Sequence, residues 1–219
     1  MTDELPREKD DDELVRRERS AMMKGPIIAG PLAIILWLAL YHLLPPIAGM
    51  ADTASRALFA LKCCCIAVLL CFLTGIETVS HERLNTPAIN PLAGRESARM
   101  KVNLHYLQNT LEQLVIFMPG LIALACYCAD GRAMRAVVST TTVWILSRAV
   151  FWVGYHRAPR FRAAGLTGMA QSLLVLVYVC GKFGYEIAGP LGASVPIVIF
   201  AGVEACLVYM SARPARRAS

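Results

Sequence analysis

The sequence predicts an all-α, polytopic membrane helix bundle, on three observations. Of its 219 residues, 56% are hydrophobic and 17% charged, with a mean hydropathy of +0.50. The apolar residues fall into six long blocks rather than scattered amphipathic spacings, and each block is near the length of about 20 residues that crosses a hydrocarbon core of about 30 Å. None of the blocks alternates with period two, which excludes strand arrays and barrels.

Residues 1–26 form a charged tail, with six Lys/Arg and eight Asp/Glu before position 26. The acidic run Asp10 to Glu13 followed by Arg16, Arg17 and Arg19 reads as a solvated coil or short surface helix. A secretory signal opens with a short basic region, and this tail is long and acidic. The apolar block after it is therefore expected to be a retained span.

The six blocks are Ile27–Leu44, Ala57–Val79, Leu104–Cys128, Met134–Tyr155, Leu166–Glu186 and Ala193–Met210. Pro45-Pro46, the Asn85 to Gly94 stretch, Asp130-Gly131, Pro159 and Gly189-Pro190 separate them, residues that stop helices by removing a donor or freeing φ. With six spans, sixteen Lys/Arg fall on the side of both termini and four on the other, with Lys62 and Arg148 inside spans. That asymmetry places both termini in the cytoplasm. It also accounts for the formal charge of +6 without nucleic acid, since the basic residues flank apolar blocks.

All eight cysteines lie in apolar blocks, and none has ligand spacing with a histidine. Cys63, Cys64 and Cys65 point about 100° apart on a helix and cannot converge on one ion, so no metal site is expected and the thiols read as small hydrophobes. There is no phosphate-cradling glycine loop, and His81-Glu82 lacks the second histidine of a zinc helix.

Polar residues inside spans carry the remaining information. A charge at the centre of a span costs about 2.5–3.5 kcal/mol on the insertion scale, so it calls for a reason. Lys62, Glu112, Arg148 and Glu204 are the charged candidates, with His42, His105, Asn109, Tyr155 and Gln171 as milder ones. Lys62 can snorkel, and Glu204 can pair locally. At about 100° per residue, Lys101, His105, Gln108, Asn109 and Glu112 form one polar stripe on the third block. Arg148 and Tyr155 share a face of the fourth block with Trp144, Phe151 and Trp152, and Arg162 opens the fifth. The topology brings these groups to one depth near the cytoplasmic boundary. Two readings stand at this point: a site for something both charged and apolar, or Glu112 and Arg148 neutralising one another between packed helices.

Asn109-Thr110-Leu111-Glu112, with a basic position four before the Asn, followed by Arg148, Tyr155 and Arg162 at successive intervals of seven, resembles the MAPEG superfamily. Leu61-Lys62 followed by Thr74-Gly75 is similar to that family's first span. The likeness covers about residues 56–188, four spans, and leaves 27–55 and 189–219 as additions at either end. It implies a homotrimer with glutathione bound between subunits on the cytoplasmic side and a lipophilic electrophile arriving from the membrane lipid. His105, Asn109, Glu112, Arg148 and Tyr155 would then hold glutathione, and Arg162 would stabilise its thiolate. The activity implied is that of a glutathione-dependent transferase or peroxidase. Three positions depart from the glutathione-using members: His105 stands where they have Arg, Leu107 where they have a polar residue, and Phe151 where the leukotriene-synthase branch has Tyr. The family also holds a non-catalytic lipid-binding member, so a lipid-binding or scaffold role is the alternative. A transporter fits less well, because no repeat of broken helices is visible.

Overall fold

The computed structural model describes residues 4–212; the basic tail with Arg213, Arg216 and Arg217 and the first three residues lie outside them. The described residues are helical and contain no strand. The helices are α1 (Glu4–Leu43), α2 (Thr53–Ala67), α3 (Thr74–Leu84), α4 (Ala98–Tyr127), α5 (Arg135–Arg157) and α6 (Thr167–Ala212). By contact the chain divides into two units, Met1–Ser172 and Leu173–Ser219.

The charged tail differs from the expectation of coil or short surface helix, because α1 runs unbroken from Glu4 through the first apolar block. Pro6 falls in its first turn, where a missing N–H has no partner to lose, and no Gly or Pro recurs before Gly25. Pro26 and Pro31 lie inside the helix, and the apolar part extends from Met22 to Leu43. This span packs on α5 and on the segment that follows α5. Trp37 donates through Nε1 to Thr140 Oγ1 at 3.0 Å, and Arg135 donates to the Leu44 carbonyl at 3.1 Å.

The second block is α2 and α3 joined by a π-helical stretch, Val68–Leu73. Widening the ladder to i→i+5 leaves carbonyls to be satisfied from elsewhere. Thr74 donates to the Leu69 carbonyl at 3.2 Å and Tyr106 of α4 donates to the Cys71 carbonyl at 3.1 Å. Gly75 lets that tyrosine approach, since a Cβ there would stand 3.1 Å from Tyr106 Cε1. The first unit's core joins α2, α4 and α5 through Leu114, Phe117, Leu121 and Trp144, and Cys63, Cys64, Cys71 and Cys128 are buried in it as free thiols. Those four occupy the role of small apolar side chains.

Five helical segments are long and apolar enough to cross a membrane, not six. The difference lies in the fifth, Phe161–Ser211, which takes in the last two blocks. Within the second unit it is not straight: Ala188 and Gly189 leave helical geometry, at φ −142°, ψ 27° and φ 60°, ψ −146°. The chain folds back there, so that a Cβ on Gly184 would lie 2.1 Å from the Gly192 carbonyl oxygen and one on Gly181 would meet Ile197. The two expected blocks are the arms of a helical hairpin.

Candidate functional site

The α4 helix presents two polar faces. Lys101, His105, Gln108 and Glu112 form the expected stripe and are all exposed in the isolated chain. About 150° round the helix lies an inner face of Asn103, Tyr106, Thr110 and Gln113, all buried. Asn109 sits between the two faces and is half-buried.

Arg148 of α5 belongs to the inner face and is fully buried. Its Nη1 donates to Asn109 Oδ1 at 3.0 Å and its Nη2 to Thr110 Oγ1 at 2.9 Å. The guanidinium lies 4.3 Å from the Phe151 ring centroid and 5.3 Å from that of Tyr106. Gln113 adds a second donor to Asn109 Oδ1 at 3.2 Å. Arg148 Nε and Gln113 Oε1, one donor and one acceptor, stay buried without partners among the described residues. Glu112 is not part of this cluster; it is exposed and accepts from Gln108 Nε2 at 3.1 Å. The reading in which Glu112 and Arg148 neutralise one another inside a subunit therefore does not describe this structure.

Tyr155 and Arg162 meet at the end of α5. Arg162 does not open α6; it lies in a 3-10 segment, Pro159–Leu166, that folds back along α5. Two glycines make the return possible. A Cβ on Gly154 would lie 2.6 Å from the Phe161 carbonyl oxygen, and one on Gly165 would lie 2.4 Å from Phe151 Cβ. The close approach sets Arg162 Cζ 5.1 Å from the Tyr155 ring centroid, within cation–π range. His105 approaches the other partner of this pair, its ring 6.5 Å from that of Tyr155. Tyr155 also meets Phe151 edge-on at 5.7 Å, which links the Arg162 and Arg148 clusters through one aromatic layer.

The structure thus joins Arg148 with Asn109, and His105 with Tyr155 and Arg162, while Glu112 remains on the outward stripe. Sequence reasoning passed over Tyr106, Thr110 and Gln113, the inner-face partners of Arg148 and Asn109. Their signal was present as the seven-residue spacings Asn103–Thr110 and Tyr106–Gln113, which a search for charge alone does not weigh.

Fold and site define an integral membrane helical bundle with a cationic and aromatic cluster beside a polar stripe at the ends of α4 and α5. Residues 56–182 match the MAPEG family, and the chain belongs to it, among membrane-associated proteins of eicosanoid and glutathione metabolism. A protein of Synechocystis sp., described as uncharacterized, is 30% identical over 107 residues, covering 48% of this chain and 74% of that protein. No solved structure matches the chain.

Proposed function

We propose that this protein is a glutathione-dependent transferase or peroxidase acting on lipophilic electrophiles, with its site completed by neighbouring copies in a homotrimer. The observation that carries this reading is the exposed stripe of Lys101, His105, Gln108 and Glu112 on a membrane-spanning helix. Left against lipid, charged groups at that depth are costly, and a neighbouring subunit with a polar ligand between the two relieves the cost.

In this reading His105, Asn109, Glu112 and Tyr155 hold the tripeptide. Glu112 accepts from its ammonium group, and Asn109 and Tyr155 supply neutral hydrogen bonds. Arg148 has both Nη atoms engaged within the subunit, so it acts by fixing Asn109. Arg162 is the catalytic residue: a thiol with a pKa of about 8.5 ionises at neutral pH only beside a cation, and guanidinium is a permanent one. The thiolate sulfur attacks the electrophilic carbon, a C–S bond forms, the carbon–leaving-group bond breaks, and the thiol proton has already passed to solvent.

Purified protein in detergent, given glutathione and a chromogenic aryl halide, should turn over, and Arg162→Ala should lose about two to three orders of magnitude. The competing reading is a non-catalytic lipid-binding or scaffold protein, favoured by His105 where glutathione users of the family carry Arg. No turnover above Arg162→Ala, together with no protection by glutathione against heat, would decide for it.

A further inference from the structure

A cleft of about 550 Å³ opens between α3, the start of α4 and the end of α5, on the side of α4 away from the exposed stripe. Its volume falls within the roughly 300–1,000 Å³ of small-molecule sites. Among its lining residues are Glu82, Arg99, Asn103, Trp152 and His156.

Most polar groups around it are already engaged. Thr78 donates to the Thr74 carbonyl, Asn85 to that of His81 and Thr86 to that of Glu82. The Glu82 carboxylate accepts from Ser97 Oγ and from Arg99 Nε. Asn103 is different. Its Oδ1 accepts from Trp152 Nε1 at 3.0 Å and meets His156 Nε2 at 2.8 Å. Indole nitrogen can only donate, so the amide cannot be turned round, and His156 Nε2 must carry the proton that it shares with Oδ1. That orientation leaves Asn103 Nδ2 without a partner in a residue 1% exposed. An orphaned buried donor costs about 1–3 kcal/mol, which a bound acceptor recovers. Beside the Glu82 carboxylate, whose charge Arg99 offsets, the donors left to act in the cleft are the Asn103 amide and the Nη atoms of Arg99, whose side chain is 70% exposed.

We infer that this cleft is a second binding site, separate from the stripe, for a carboxylate or phosphate group whose oxygens accept from Asn103 Nδ2 and Arg99. Charge-assisted bonds from guanidinium favour such an oxyanion over a neutral acceptor. The group has two possible carriers, an amphiphile whose head reaches the helix ends or a soluble molecule.

The test uses full-length protein in uncharged detergent, with tryptophan emission as the readout, since Trp152 lines the cleft. Inorganic phosphate and acetate are titrated in one arm, at ionic strength held constant with chloride. Oleate and phosphatidate in mixed micelles are titrated in the other. Saturable binding is expected in at least one arm: in the first it assigns a soluble ligand, and in the second alone it assigns a lipid head. Asn103→Asp keeps the acceptor for Trp152 and His156 and replaces the amide donor with anionic oxygen, so it should weaken binding at least tenfold. Arg99→Gln, at a well-exposed side chain, should also weaken it and serves if the Asn103→Asp variant does not fold. No saturable binding in either arm, or equal affinity in the variants, would overturn the assignment.

Discussion

Arg148 and Asn109 are joined by a 3.0 Å bond from Nη1 to Oδ1 inside the subunit, with Thr110 taking the second Nη at 2.9 Å. These two bonds offset part of the cost of burying a guanidinium whose Nε has no partner among the described residues, and the aromatic faces of Phe151 and Tyr106 supply further attraction. Removing the cation takes the donor from Thr110 Oγ1, leaves Asn109 Oδ1 with Gln113 alone, and opens a void. Arg148→Ala should therefore destabilise the protein by about 3–5 kcal/mol. Arg148→Lys keeps the charge and loses the fork, and should cost about 1–3 kcal/mol. A double-mutant cycle with Asn109→Ala, read by thermal unfolding in detergent, should return a coupling of about 1–3 kcal/mol; additive effects would show that the bond contributes nothing.

The placement of Arg162 depends on two glycines and not on Arg162 itself. A methyl group on residue 165 would sit 2.4 Å from Phe151 Cβ, so Gly165→Ala must push the Pro159–Leu166 segment off α5. The expected cost is about 1–3 kcal/mol, with faster tryptic cleavage in that segment. Gly30→Ala is the control: it lies in α1 with nothing within 4 Å of its added Cβ. That change should stabilise by about 0.4–1 kcal/mol. If both variants behave alike, the close approach at Gly165 is not what holds the segment.

Which parts of this were legible in the sequence follows from the range of the physics involved. Spans are local: run length and bounding Pro or Gly settle them, and five apolar segments appear where six blocks were expected only because Ala188–Gly189 bends a helix without ending it. The stripe on α4 was legible for the same reason, being a matter of 100° periodicity. Partner choice was not. Whether Arg148 meets Glu112 or Asn109 depends on which face of α4 turns toward α5, and that is decided by packing around Tyr106, Gly75 and the π-helical turn. The packing of α1 against α5, with Trp37 reaching Thr140, likewise has no local signature.

Asp52 offers a pH dependence at the entrance to α2. Its carboxylate caps the helix, accepting from the Ser55 hydroxyl at 2.6 Å and the Ser55 amide at 2.8 Å. The hydroxyl bond first, and the amide bond with it, hold its pKa below the ordinary carboxylate value. A carboxyl that is more acidic when folded stabilises above its unfolded pKa, and the contribution fades as pH falls through the folded value. Protection of the first-turn amides of α2 should therefore decline as pH is lowered through the acid range. In Asp52→Ser, which caps without titrating, the protection should be unchanged by pH. A parallel decline in both proteins would remove Asp52 as the cause.

The turn at Gly189 makes the strongest statement about topology. Its φ of 60° with ψ of −146° lies in a region open essentially only to glycine, so Gly189→Ala should cost about 1–3 kcal/mol. Gly184→Val should be worse tolerated, because even a methyl there would stand 2.1 Å from the Gly192 carbonyl oxygen. Run straight, the 46 residues of α6 would be roughly 70 Å long, over twice the hydrocarbon thickness. Folded at Gly189 they form two arms, each of spanning length, and a crossing by each arm predicts an even number of crossings. Both termini are then expected on the same side, and the excess of Lys and Arg in the tails and in the α3–α4 loop predicts that this side is the cytoplasm. Protease sites placed at each end of the chain in sealed, right-side-out vesicles should both resist cleavage until the vesicles are opened. Cleavage at one end only would mean that the hairpin does not cross and return.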